Sequence, residues 1–123
     1  IQTDDGAYTD VSNCMMLAAI PGKVGDGAAA VAAGGTPTIK GANATPTTVR
    51  RFLVGPKECE ITGVAMTPDR KTLFINVQHP GEDGSLGAMT SHWPASQTDA
   101  ASTKRPRSAT VVITRSNGGE IAV

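Results

Sequence analysis

Apolar and polar side chains alternate along several short stretches of the chain, and this alternation predicts β-strands. The clearest stretch is residues 72–78, TLFINVQ, and residues 60–66, EITGVAM, come shortly before it. Residues 67–71, TPDRK, join the two and place a proline where a tight turn favours one. The pattern therefore predicts two antiparallel strands connected by this turn.

Further strands are predicted on both sides of this hairpin. The chain ends in a second hairpin, because Asn117-Gly118 is a favoured pair for a two-residue turn. Two stretches lack the alternation: one is rich in Gly, Ala, Thr and Pro and predicts a long hairpin excursion, and the other is polar and predicts a long loop. The remaining strands are 1–3, 13–20, 49–54, 109–115 and 120–123, and the two other stretches are 22–48 and 79–107.

The order of these elements repeats, because the acidic loop after residue 3 holds the same place as the loop after residue 78. We therefore expect an all-β fold, a partial β-propeller of about two antiparallel blades. Residues 1–57 would be three strands of an incomplete blade with the insertion at 22–48. Residues 58–123 would be a nearly complete four-stranded blade with the long loop at 79–107. A propeller closes with four or more blades, so we expect a piece of a longer protein; a β-sandwich is the alternative.

Composition narrows the classes of function. Eleven basic residues balance eleven acidic ones among the 123, which leaves no basic footprint for nucleic acid or an anionic membrane. No run of eighteen apolar residues exists, so we expect no transmembrane helix. The two cysteines, Cys14 and Cys59, lack the spacing of a zinc site. They could form a disulfide or be two free thiols inside strands, and the sequence leaves both alternatives open.

Candidate metal ligands fall where the predicted strands begin and end. In a propeller, the loop entering the first strand of a blade opens on the same face as the loop joining its second and third strands. Glu60 starts such a first strand, Asp4 lies in one of these loops, and His79 and Glu82 lie in the next. Carboxylate oxygens suit calcium, and carboxylate with imidazole suits iron. We therefore expect a metal site on one face, built from Glu60, Asp4, His79 and Glu82.

Each of these residues also has a purely structural interpretation. Glu60 could be a solvated residue at a strand end, and Asp4 a turn former like its neighbour in the chain. His79 could be a hydrogen-bonded loop histidine, and Glu82 a solvated turn residue. Two arginines, Arg105 and Arg107, could bind a phosphate through bidentate hydrogen bonds. The favoured interpretation is that they brace the long loop by hydrogen bonds to backbone carbonyls.

Several longer sequence motifs are more specific than the single residues considered so far. They are VRRFLVGPKECEITG at 49–63, TPDRKTLFINVQHPGE at 67–82, SHWP at 91–94, RPRSATVVITRSNGGEI at 105–121 and, more loosely, NCMMLAA at 13–19. In these motifs the chain resembles the C-terminal part of PhoX-type alkaline phosphatases. These are bacterial, calcium- and iron-dependent phosphatases built on a β-propeller.

The resemblance implies that the parent protein hydrolyses phosphomonoesters in the periplasm or outside the cell, with calcium and iron ions. It places a metal-site glutamate in the Cys-Glu-Ile-Thr-Gly segment, at Glu60, as a calcium ligand. The family's iron-binding cysteine and most other ligands lie upstream, so neither cysteine of this chain is equated with it. No catalytic residue is assigned here, and we expect the isolated chain to be inactive, to hold no metal and to self-associate.

Two other functions remain open on this architecture. One is a non-catalytic propeller scaffold or interaction segment, because a fold alone does not fix a function. The other is a calcium-dependent hydrolase of the lactonase type. The sequence lacks a Gly-x-Ser-x-Gly elbow, a Walker loop and a paired-cysteine zinc site, which disfavours a self-contained classical hydrolase, an NTPase or a zinc enzyme.

Overall fold

The computed structural model describes residues 1–4, 11–20 and 45–121, and the backbone of 31–33 and 36–38. Regular structure in these residues consists of strands and a short 3₁₀ turn at Ala95–Gln97, so the predicted all-β fold is confirmed. None of the described residues forms a helix long and apolar enough to cross a membrane. The strands are β1 Met15–Ala19, β2 Val31–Ala33, β3 Thr36–Thr38, β4 Val49–Val54, β5 Glu60–Met66, β6 Thr72–Gln78 and β7 Ala109–Thr114.

The strands form three small sheets, in the orders β1-β4, β2-β3 and β5-β6-β7. The β2-β3 pair is antiparallel and lies in the stretch for which a hairpin excursion is predicted. Its register runs from Val31 opposite Thr38 to Ala33 opposite Thr36. Short antiparallel sheets of this kind are consistent with a partial β-propeller, and also with a piece of a sandwich.

The chain divides into two compact units. The first comprises Ile1 and Leu17–Phe52, and the second comprises Gln2–Met16 and Leu53–Val123. The predicted division into blades at residues 57 and 58 stays a prediction. All four candidate metal ligands belong to the second unit, which also contains the β5-β6-β7 sheet.

The hairpin of β5 and β6 sets the geometry of the second unit. Its antiparallel register runs from Glu60 opposite Gln78 at one end to Met66 opposite Leu73 at the other. The register shifts at Gly63, where the backbone is left-handed with φ of 61°. Such a shift is a β-bulge, which glycine accommodates without the steric cost that a side chain adds.

The connecting turn is held by its aspartate, as a Pro-Asp turn predicts. The Arg70 N–H donates to the Thr67 carbonyl at 2.8 Å. The Asp69 carboxylate accepts hydrogen bonds from Thr67 Oγ1 at 2.6 Å and from the Lys71 N–H at 3.1 Å. These two hydrogen bonds hold the pKa of Asp69 below its ordinary value, and the bond from the Thr67 hydroxyl has the larger effect.

The last predicted strand differs from the structure. β7 pairs antiparallel with β6 along its length, from Thr72 opposite Thr114 to Val77 opposite Ala109. The predicted strand at 120–123 is not formed at residues 120 and 121, and residues 122 and 123 lie outside the described part. Instead, the Ile121 N–H donates to the Arg70 carbonyl at 2.7 Å, so this donor is satisfied by the β5-β6 turn. The buried Ile121 side chain adds to the core.

One face of the sheet carries the core of the second unit. Every second residue of β6 is buried there, as the alternation in the sequence predicts. Cys14 and Cys59 are buried thiols in the same cluster. Burial raises the pKa of the Cys59 thiol to about 12, and the nearby Cys14 contributes a smaller part of this shift. The buried members are Cys14, Cys59, Ile61, Leu73, Ile75, Val77 and Ile121.

Gly55 is packed so closely against this core that a methyl group has no room. A Cβ built on Gly55 would lie 2.4 Å from Cys59 Sγ and 2.7 Å from Ile61 Cδ1. We expect Gly55→Ala to lower the free energy of unfolding by about 1–3 kcal/mol, the usual cost of overpacking. Gly87→Ala is the matched control, because a Cβ at Gly87 meets no atom within 4 Å. Denaturant unfolding that gives both variants the same stability would contradict this packing.

Candidate metal centre

The β5-β6 hairpin brings two candidate ligands together. Because Glu60 pairs with Gln78, the entry of β5 and the exit of β6 lie at the same end of the sheet. His79 follows Gln78 directly, so it also lies at this end. The alternation and the Pro-Asp turn that the sequence shows account for this pairing.

Asp4 reaches the same place through the N-terminal segment, which runs beside β5. The Ile61 N–H donates to the Thr3 carbonyl at 3.2 Å, and Gln2 Nε2 donates to the Gly63 carbonyl at 2.8 Å. Thr3 is also fixed from its other side, because its N–H donates to the Met15 carbonyl at 3.0 Å. These hydrogen bonds place Asp4 next to the start of β5.

Three of the four predicted ligands form a cluster. Asp4, Glu60 and His79 each offer one ligand atom, and these atoms lie within 4.8 Å of one another. Asp4 is exposed, while the side chains of Glu60 and His79 retain 28% and 31% of their exposure. The cluster is therefore partly shielded from water but open to an ion.

The fourth predicted ligand, Glu82, contacts the cluster through His79. The His79 imidazole lies between two carboxylates, with Nε2 3.5 Å from Glu60 Oε2 and Nδ1 2.9 Å from Glu82 Oε2. Nδ1 is buried and has no hydrogen-bond partner among the described residues. The Glu82 oxygen is near enough for a hydrogen bond, but it lies outside the direction in which Nδ1 could donate. We therefore describe this contact as electrostatic.

The backbone of His79 has an unusual conformation. Its φ is 35°, in a region that residues other than glycine rarely adopt. The His79 N–H donates to Ser108 Oγ at 3.0 Å, which helps to hold this conformation. Backbone strain of this kind concentrates at functional sites.

Three further charged residues with possible roles at the site are described by the structure: Asp83, Arg105 and Arg107. Asp83 is exposed and contributes no ligand atom to the cluster, and Asp5 lies outside the described residues. The two arginines, Arg105 and Arg107, are exposed, and neither guanidinium donates a hydrogen bond within the part of the chain that the structure describes. The favoured bracing role for these arginines therefore has no supporting hydrogen bond there.

Glu58, which lies two residues before Glu60, is not among the predicted site residues. Its side chain is only 13% exposed, it accepts a hydrogen bond from Thr90 Oγ1, and Lys57 Nζ lies 3.0 Å from its Oε1. The Thr90 hydrogen bond, more than the lysine, holds the pKa of Glu58 below its ordinary value in spite of burial. A charged residue directly before a buried cysteine and a strand is the signal that could have drawn attention to it.

The donor set fits a divalent cation. Three carboxylates lie near one imidazole whose buried Nδ1 has no hydrogen-bond partner in the part of the chain that is described, and a cation would offset the negative charge of these carboxylates. The carboxylate oxygens suit calcium, and carboxylates with an imidazole nitrogen suit iron. Calcium takes about 6–8 oxygen ligands, so these side chains supply part of a coordination shell and leave the rest to other groups.

Comparison with known proteins identifies a family for this chain. The model of the family "Alkaline phosphatase PhoX" matches residues 1–81, a range that contains Asp4, Glu60 and His79. A solved structure of Pseudomonas fluorescens PhoX, in complex with the transition state analogue vanadate, is 30% identical with a TM-score of 0.51. The similarity covers 98% of this chain and 18% of that one. No curated protein matches the sequence. The chain belongs to the PhoX alkaline phosphatase family.

Proposed function

We propose that this chain is part of a metal-dependent phosphomonoesterase, in which Glu60 and Asp4 bind a calcium ion and His79 lies beside them. The observation that carries the proposal is the convergence of three ligand atoms within 4.8 Å from three separate segments of the chain. Family membership supports the reaction class. The chain spans 18% of the length of the similar phosphatase, so the nucleophile and the remaining ligands are proposed to lie elsewhere in the parent.

The individual residues have distinct parts in this proposal. Glu60 opens β5 and is half-buried, so its carboxylate is held in place by the sheet and provides a fixed charge. Asp4 adds a second carboxylate from the neighbouring segment, and Glu82 orients the His79 ring. When bound, calcium would neutralise the negative charge that develops on the transferring phosphoryl group. The same proposal holds that the parent protein also binds iron ions and is located in the periplasm or outside the cell.

Apolar side chains on the sheet support the proposal that the isolated chain self-associates. Val64 and Val112 are 60% and 58% exposed, and Met66 is 42% exposed. Exposed apolar side chains beside an unpaired strand edge favour pairing with another chain. Light scattering on the purified chain would detect this, and a stable monomer at high concentration would speak against it.

Chelation of metal tests the proposed function. We expect the complete protein encoded by the reading frame that contains this sequence to hydrolyse p-nitrophenyl phosphate. Removal of calcium with EGTA should lower the rate by at least about 100-fold, because a bound metal supplies several kcal/mol of transition-state stabilisation. Added calcium should restore the rate, whereas magnesium alone should not.

Two results would contradict this function. A protein that releases no phosphate from any phosphomonoester, with or without calcium, would be a scaffold. A protein that opens a lactone in a calcium-dependent reaction but leaves p-nitrophenyl phosphate intact would be a hydrolase of another class.

A further inference from the structure

We propose that Glu58 is a positioning residue, which fixes the loop at 79–91 against the entry of β5 and so sets where His79 and Glu82 lie relative to Glu60. The inference rests on the proposed function of Glu60 as a metal ligand. It assigns to Glu58 no contact with metal or substrate.

The main chain of Lys57 and Glu58 holds the start of the loop. The Gly81 N–H donates to the Lys57 carbonyl at 3.0 Å, and the Glu82 N–H reaches the Glu58 carbonyl at 3.4 Å. The segment that leads into β5 is therefore joined directly to the residues that carry the Glu82 side chain.

The side chain of Glu58 holds the end of the same loop. Its carboxylate accepts the hydrogen bond from Thr90 Oγ1 and is mostly buried. Charge-assisted hydrogen bonds of this kind are about twice as strong as neutral ones. Glu58 thus ties both ends of the loop to a point two residues before Glu60, through its carbonyl at one end and its carboxylate at the other.

The loop is packed tightly where Glu58 holds it. A Cβ built on Gly81 would lie 2.9 Å from Ser91 Cβ and 3.1 Å from the Ser91 N, so the two arms of the loop touch. Gly81 has φ of 75°, which glycine adopts without strain. Loss of the Glu58–Thr90 bond would free one of these arms, and the movement would pass to the adjacent Glu82.

Glu58 also has a left-handed backbone conformation, which glycine would adopt without strain. Its φ is 52°, and a left-handed backbone is strained for a residue other than glycine. A glycine would remove this strain, but it would also remove the carboxylate. The contacts of that carboxylate offset the backbone strain.

Four variants of the complete protein test the proposal. Glu58→Ala removes the carboxylate, Thr90→Val removes the donor from the other side, and Glu58→Gln keeps an acceptor. Lys71→Ala is the control, because Lys71 is exposed and lies in the turn at the other end of the β5-β6 hairpin. The readouts are hydrogen exchange of the loop amides in the metal-free protein and calcium affinity by titration calorimetry.

We expect Glu58→Ala to increase exchange at residues 81–91 and to weaken calcium binding by about 10-fold or more, as loss of a residue that orients ligands does. Thr90→Val should change both readouts in the same direction. A fifth variant that combines Glu58→Ala with Thr90→Val should do little more than Glu58→Ala alone, because both substitutions remove the same hydrogen bond. Glu58→Gln should recover much of the affinity, and Lys71→Ala should match the wild type.

Three outcomes would overturn the proposal. One is wild-type exchange and calcium affinity in Glu58→Ala. Another is a uniform rise in exchange over the whole protein, which would show only a general loss of stability. The third is unchanged calcium affinity alongside increased loop exchange. Failure of the metal site itself is recognised separately, because calcium binding would then also be unchanged in Glu60→Gln.

Discussion

Replacing Glu60 with glutamine in the complete protein is expected to lower phosphatase activity by at least about 100-fold, because a lost metal ligand costs no less than a lost outer-shell partner. Glutamine keeps the shape of the side chain and removes its charge. The carboxylate lies at the entry of β5, 3.5 Å from His79 Nε2, with Asp4 beside it. Without its charge the cluster holds a divalent cation more weakly.

A second glutamate of the same unit provides the control for this substitution. Glu120→Gln makes the same chemical change at a carboxylate that pairs with Arg70 across the β5-β6 turn, at the other end of the hairpin. Activity and calcium content should be near those of the wild type in Glu120→Gln and should fall together in Glu60→Gln. With calcium in excess, the folding of Glu60→Gln should be largely preserved. Wild-type activity and metal content in Glu60→Gln would refute its assignment as a ligand.

The isolated chain of 123 residues is expected to show no phosphatase activity. Its cluster offers one ligand atom from each of three residues, far fewer than the 6–8 that calcium takes. Phosphoryl transfer needs ions, nucleophile and substrate held together, and the chain spans 18% of the length of the similar phosphatase. Turnover of p-nitrophenyl phosphate by the purified chain is measured with and without calcium. A rate that depends on metal and follows the chain through purification would show that the chain carries a complete site.

Local patterns account for much of the fold and for the placement of three candidate ligands. Alternation and the Pro-Asp turn predict the β5-β6 hairpin, and antiparallel pairing then requires Glu60 and His79 to lie at the same end. The placement of Asp4 follows from the repeated order of strands and loops. These features depend on period and spacing, which a single sequence displays.

Other features depend on contacts between distant residues, which the sequence does not display. Ile121 fits a strand pattern, but its N–H is taken by the Arg70 carbonyl, so the predicted fourth strand does not form at residues 120 and 121. The role of Glu58 depends on Thr90, which lies at the far end of a loop. Left-handed backbone at Glu58 and His79 has no signal in residue type, because neither is a glycine.

Diffraction from crystals of the complete protein, grown with a lanthanide such as terbium in place of calcium, would locate the ion itself. We predict an anomalous peak within about 2.6 Å of a Glu60 carboxylate oxygen, the upper range of calcium–oxygen distances, with Asp4 also bound to it. Strong anomalous peaks elsewhere in the protein with none at the cluster of Asp4, Glu60 and His79 would contradict the assignment of this cluster as a metal site.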